Sequence, residues 1–301
     1  MTALERRRGA RTLVALAWWC GASLICSGCS AAGLWTDFTS VSVGRAASGR
    51  LHRPERLPAS GRGYTVPPAW RVRGNRYGTR ELVRLIETSA ARVRAEHRGA
   101  RLGVADLSRL RGGRTTWHKS HQSGRDVDLI FYSKNSRGRS LRPPDLQMVH
   151  YGPKGLPFVP ESMQESGYDE SGWQDRRFDD EKNWSLVAAL LSDPTVRIQW
   201  IFVSRAIKQR LLDYAAGQGR APWLIAYAEA VMHQPGGRAS PHNDHFHVRI
   251  YCSRSDRTMG CVDTGPVWKH EKKTHKYPGP ERYDPNLWSV ITSLPLFFMR
   301  I

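Results

Sequence analysis

Cysteine is scarce in this chain, and so is negative charge. Of 5 cysteines in 301 residues, Cys20, Cys26 and Cys29 lie near the N-terminus, leaving only Cys252 and Cys261 in the body. Two cysteines nine positions apart lack the paired spacing of a thiolate zinc site, which argues against one here. Acidic residues number 27 against 46 lysines and arginines, a formal net charge of +19. That balance favours anionic partners; the other reading is arginine-rich composition spread diffusely over the chain. Long apolar runs are missing too. Leu13 to Ile25 is too short for a confident membrane span, and Leu287 to Met299 is short and broken by Pro295. There is no internal repeat, and no HNH-like or DNA-reading motif to make a nuclease of the basic charge, so no nucleic-acid partner is expected. Aromatic residues are plentiful: 11 Trp, 10 Tyr and 8 Phe within 40% apolar content can build a sizeable core.

The N-terminus reads as a leader. Arg6, Arg7, Arg8 and Arg11 precede the apolar run, and the small residues Ser27, Gly28, Ser30, Ala31 and Ala32 follow it. This is the order of a secretory signal peptide, assigned to residues 1–32. Cys26-Ser27-Gly28-Cys29 resembles a bacterial lipobox, except that Cys26 stands where Leu is usual. Lipidation of Cys29 is therefore expected, with ordinary cleavage after Ala31 or Ala32 as the alternative. Export brings the chain into an oxidising compartment, so Cys252 and Cys261 are expected to form a short-loop disulfide.

Residues 33–75 are rich in Gly, Arg, Ser and Pro, and read as an irregular arm. Leu82, Ile86, Ala90 and Val93 recur at helical spacing, which predicts an amphipathic helix over 79–97. A short strand is expected at 102–107. Asp126 to Tyr132 alternates, with Val127, Leu129 and Phe131 on one face and Asp126, Asp128 and Ile130 on the other. Residues 137–181 read as a long excursion near the site. Helices are predicted around 184–191, around 206–214 and after Pro222, with a buried strand at 196–203. A last strand, Asp244 to Cys252, sets Phe246, Val248 and Ile250 against His245, His247 and Arg249. The main domain is placed at 76–262, followed by a basic and then apolar tail, 263–301.

Two segments carry the chemistry. His118-Lys119-Ser120-His121-Gln122-Ser123-Gly124-Arg125-Asp126-Val127-Asp128 and His242-Asn243-Asp244-His245-Phe246-His247 hold five of the 11 histidines. Together they offer imidazoles, a carboxylate and spare histidines for proton transfer, the ligand types that a catalytic zinc needs. His121 and Asp128 are seven apart, so they do not share a helical face; His121 belongs to a loop leading into the strand of Asp128. His245 and His247 share one strand face, which suggests that one binds metal while the other contacts water or substrate.

The stretch Ser120 to Asp128 resembles the SHQxGxDVD motif of the penicillin-insensitive murein endopeptidases, and His242 to Arg249 is similar to their HxxHxHVR motif. Gly112-Gly113 and Ile201 to Lys208 also resemble segments of those enzymes, and the similarity spans roughly residues 40–262. The resemblance implies an α+β fold, related to lysostaphin, D-Ala-D-Ala metallopeptidases and the hedgehog domain, with zinc on a central antiparallel sheet flanked by helices. It implies His121, Asp128 and His247 as zinc ligands and His245 and His242 as catalytic imidazoles. His118 is a candidate for a second metal or for the site wall. The activity implied is hydrolysis of peptide cross-links in bacterial peptidoglycan, in the periplasm or cell envelope; the leader adds the expectation of a lipid anchor at Cys29 bringing the enzyme to a membrane surface. A D,D-carboxypeptidase and a non-catalytic wall-binding module are the alternatives.

Overall fold

The computed structural model describes residues 39–164, 172–237 and 239–268. The leader, Cys29 and most of the C-terminal tail lie outside the described residues.

The N-terminal part is more ordered than its Pro and Gly content predicts. It holds strands β1 (Val41–Arg45), β2 (Ser48–His52), β3 (Glu55–Arg56), β4 (Ser60–Gly61) and β5 (Tyr64–Thr65), then helix α1 (Pro68–Arg73). Strands of two to five residues are too short to show periodicity, yet Leu51, Leu57 and Val66 are buried. After β6 (Tyr77–Gly78) comes α2 (Arg80–Glu96), one residue shorter at each end than its apolar spacing predicts. Thr79 caps it by accepting from the Leu82 backbone N–H, and its stripe from Leu82 to Val93 is buried.

Strands β7 (Leu102–Val104), β8 (Asp126–Ile130) and β9 (Ser133–Lys134) follow, then α3 (Glu161–Gln164), β10 (Arg177–Phe178) and α4 (Asp180–Leu191). The rest comprises β11 (Ile198–Phe202), α5 (Arg205–Gly217), α6 (Pro222–Val231), β12 (Met232–His233), β13 (His245–Ile250) and α7 (Arg254–Thr258). Pro222 opens α6 at the first turn, where a missing N–H costs nothing.

Seven strands form the main sheet in the order β12-β11-β13-β8-β7-β5-β4. Its centre, β11-β13-β8-β7, is antiparallel as expected; β11 with β12 and β5 with β7 are parallel, so the sheet as a whole is mixed. The fold is α+β. Val127, Leu129, Phe246 and Val248 share one core with Ile86, Leu186, Leu190, Leu211 and Val231 of the helices. Burying one sheet face leaves the alternate residues of β8 and β13 to line the other.

Two long-range ties hold the polar face in place. Ala46, in the turn between β1 and β2, accepts from the Gln122 N–H at 3.0 Å and so pins the loop that carries His121. The disulfide Cys252–Cys261 closes the loop after β13, and Gly44 of β1 bonds across it to Gly260 and Val262. Gly112 has φ +65°, and a Cβ there would meet the Gln122 carbonyl at 2.2 Å, so only glycine lets the chain pass under the histidine loop. Among the described residues no helix is long and apolar enough to cross a membrane.

Candidate metal centre

Register brings the two histidine segments together. In the β13–β8 ladder His247 faces Asp128 and Arg249 faces Asp126. Both carboxylates therefore share the polar face with His245 and His247, as the alternation predicts. His121 arrives from the preceding loop with φ +60°, a left-handed conformation rare for a side-chain-bearing residue. His242 is likewise left-handed, at φ +53°.

Three atoms converge at the centre. His121 Nε2 lies 3.3 Å from Asp128 Oδ1 and 3.3 Å from His247 Nδ1, and His247 Nδ1 lies 3.2 Å from Asp128 Oδ1. Two atoms each bound about 2.0–2.1 Å from a tetrahedral zinc stand about 3.3–3.4 Å apart, so this triangle has the edge of such a site. The protons agree. His121 Nδ1 donates to the Leu107 carbonyl at 3.0 Å, and His247 Nε2 donates to Asp126 Oδ1 at 2.9 Å. Each ring thus turns a bare lone pair toward the other and toward a carboxylate. Asp128 Oδ1 is buried and has no hydrogen-bond partner among the described residues. Three converging lone pairs in a buried place repel one another unless a cation lies between them, so these donors fit a metal ion.

His245 and His242 flank this triangle. His245 Nε2 is 3.4 Å from Asp128 Oδ1, while its Nδ1 donates to Asp244 Oδ1 at 2.8 Å. Burial pushes the His245 pKa down, but Asp244 and Asp128 outweigh it and hold the value well above the ordinary imidazole range. His242 behaves in the opposite way: burial, then the nearby His245 and His247, push it down to about 3. Its Nδ1 donates to the Ser240 carbonyl at 2.7 Å, which leaves Nε2 as an acceptor. Metal-free, the site therefore holds one charged and one neutral imidazole side by side, their rings 5.0 Å apart. Burial opposes ionisation of Asp128, but His121 and His245 hold its carboxyl well below the usual range.

His118 stands at the wall. Its Nε2 donates to Asp106 Oδ2 at 2.9 Å, its Nδ1 is 3.6 Å from Asp128 Oδ2, and its ring lies 4.2 Å from that of His121. With His121 and Asp128 it forms one group that could hold a metal ion; His242, His245 and His247 form another. The excursion after residue 137 reaches the site as well: His150 Nδ1 bonds Asn243 Oδ1 at 2.6 Å, and Tyr151 N–H bonds the Asn243 carbonyl.

Sequence reasoning brought no role to Asp106, Asp126 or Asp244, the three carboxylates that orient His118, His247 and His245. The alternation of β8 sets Asp126 on the polar face, and a second carboxylate beside a candidate ligand is the available signal. Asp106 carries none, because only the fold brings it to His118. The structure also joins Cys252 to Cys261, at a Cα–Cα distance of 6.0 Å.

The chain is similar to known proteins over most of its length. Residues 42–276 match the family described as penicillin-insensitive murein endopeptidase. The protein so named in Haemophilus influenzae is 31% identical over 229 residues, covering 75% of this chain and 68% of that protein. A Klebsiella pneumoniae protein of the same name is 30% identical over 257 residues, covering 81% and 80%. One from Salmonella paratyphi C is 30% identical over 265 residues, covering 84% and 81%.

Proposed function

The chain belongs to the penicillin-insensitive murein endopeptidase family, and from that premise we propose that its histidine centre is a zinc site hydrolysing D-Ala–diaminopimelate cross-links. The protein is a murein endopeptidase, a hydrolase whose substrate is peptidoglycan. The observation that carries the zinc reading is the triangle of His121 Nε2, Asp128 Oδ1 and His247 Nδ1, with edges of 3.2–3.3 Å around an unpartnered carboxylate oxygen. These three residues are the proposed ligands. Zinc, when bound, supplies Lewis-acid polarisation of the scissile carbonyl and acidifies the attacking water.

The remaining work falls to the flanking imidazoles. His242, whose Nδ1 is held by the Ser240 carbonyl so that Nε2 is left as an acceptor, takes the proton from water. His245, its Nδ1 held by Asp244 and its Nε2 turned into the site 3.4 Å from Asp128 Oδ1, is the group placed to stabilise the oxyanion and donate to the leaving amine. Asp244 fixes the His245 ring, as Asp126 fixes His247. His118 is assigned to the wall, since its Nδ1 stands 3.6 Å from Asp128 Oδ2, outside the triangle of three atoms at 3.2–3.3 Å.

The proposed domain begins near residue 40, because the β1–β2 turn pins the histidine loop and the family match starts at 42. A peptidoglycan substrate places the enzyme in the cell envelope. The leader supports export, and Cys29 supports a lipid anchor holding the enzyme at a membrane that faces the wall. The function is tested by digesting purified peptidoglycan with the zinc-loaded protein and weighing the products. Release of monomeric muropeptides with newly free amines is expected; intact cross-links after exhaustive digestion would refute the reading.

A further inference from the structure

Arg249 spends only one of its three guanidinium nitrogens inside the protein. It lies on β13 two residues past His247, on the same sheet face, and its Nε donates to Asp126 Oδ1 at 2.6 Å. Neither Nη nitrogen has a partner among the described residues, and neither is among the buried unpartnered atoms. An arginine kept only to neutralise Asp126 would grip both carboxylate oxygens with its fork. Here Asp126 Oδ2 is buried with no partner among the described residues, so the fork is not committed to it.

The guanidinium is held as well as open. Its Cζ lies 5.5 Å from the ring centre of Phe202, and Phe202 packs edge-on against His247 at 5.3 Å. The side chain is only 11% exposed, so its charge is weakly screened and its rotamer freedom is already lost. A fixed, largely desolvated pair of N–H donors matches the two oxygens of a carboxylate.

We propose that the Nη pair of Arg249 binds a free substrate carboxylate on the leaving-amine side of the scissile bond, making Arg249 a specificity-determining residue. The inference rests on the murein endopeptidase reading. In a D-Ala–diaminopimelate cross-link, the carbon bearing the scissile nitrogen also keeps its own carboxylate. That carboxylate is one residue from the scissile carbonyl, a span of at most about 3.3–3.6 Å along the chain. Arg249 follows the proposed ligand His247 by two positions on the same strand face, so its side chain borders the space next to the centre where such a group would lie.

The test compares two forms of the amine-side product, a diaminopimelate stem peptide with that carboxylate free or amidated. Binding of each to the zinc-loaded wild type, Arg249→Gln and Arg249→Lys is measured by calorimetry, and cleavage of the matching dimers is followed in parallel. Amidation should weaken product binding to the wild type about 10- to 100-fold, the loss of a charge-assisted pair. Arg249→Gln should bind both forms alike. Arg249→Lys, which keeps a charge beside Asp126, should retain the metal and lose most of the discrimination. Wild-type binding within two-fold for both forms overturns the proposal, as does undiminished discrimination by a folded Arg249→Gln. If Arg249→Gln does not fold, the wild type and Arg249→Lys decide. Dimers that stay uncut while the products are still discriminated would overturn the function reading and leave this one standing.

Discussion

Asp126 Oδ1 accepts a hydrogen bond from His247 Nε2 at 2.9 Å, and that single contact decides which nitrogen of His247 faces Asp128. Asp126 is wholly buried, and Arg249 beside it balances its charge. Removing the His247 ring, as in His247→Ala, should abolish zinc binding, read as metal per chain in the purified protein. Asp126→Asn should fold and weaken zinc affinity about 10- to 100-fold, the usual cost of losing a group that orients a ligand. Full zinc retention by His247→Ala would remove that residue from the ligand set.

His245→Ala should keep its zinc and lose activity by on the order of 10²-fold or more, the scale of general acid–base help. Asp244→Asn should lose less, because the ring stays and only its orientation and charge are altered. Parent-rate turnover of peptidoglycan by His245→Ala would refute the proposed division between ligand and catalyst. Loss of zinc from that variant would make His245 a ligand instead.

Without metal, the stability of the protein should be limited on both sides of the pH scale. Asp128 and Asp126 are buried and Asp244 half-buried, yet neighbouring imidazoles, and Arg249 beside Asp126, hold each below the ordinary carboxylate value. Their contribution is present above the unfolded value of about 3.9 and disappears as pH falls through the folded ones. His242 is depressed to about 3, so between the unfolded value of about 6.5 and that point acid also favours the unfolded chain. His245 is raised, so its contribution is complete below about 6.5 and disappears as pH climbs through its folded value. Urea midpoints of the metal-free protein should drop sharply from pH 5.5 to 3, and the smaller alkaline drop should vanish in His245→Gln. An alkaline drop unchanged in that variant would assign it to other groups.

The disulfide should matter beyond its own loop. Asp263, just after Cys261, accepts from Arg125 Nη1, from Arg257 Nη2 and from the Cys252 N–H, each at 2.9 Å. Arg125 is almost fully buried and directly precedes Asp126. Closing a loop this short stabilises by about 2–3 kcal/mol. The double variant Cys252→Ser, Cys261→Ser should lose at least that much in denaturant titrations, since freeing the loop also loosens the partner of a buried guanidinium. An unchanged midpoint would show that the loop is held without the bond.

Replacing Cys29 by Ser should move the protein from the membrane fraction to the soluble envelope fraction. Each buried CH₂ of an acyl chain contributes about 0.8 kcal/mol, and the basic body adds attraction to anionic headgroups. Wild-type protein that is already soluble, with an N-terminus near Ala32, would refute the lipid anchor and leave export intact.

What could be read from residues alone was whatever strand and helix periodicity encodes. The alternation in Asp126–Ile130 and His245–Ile250 puts two carboxylates and two imidazoles on faces opposite a buried one, and the stripe from Leu82 to Val93 makes a helix. These are local properties, dictated by the 2.0 and 3.6 periods. The tertiary structure decided which of these groups meet. Pairing of β8 with β13 set Asp128 opposite His247, and no periodicity specifies which strands pair or in what register. The order in residues 41–66 was equally illegible, because strands of two to five residues gain their stability from distant partners such as Gln122 and Gly260. Asp106 became a partner of His118 for the same reason. A carboxylate has no signature until the fold buries it beside the group it must hold.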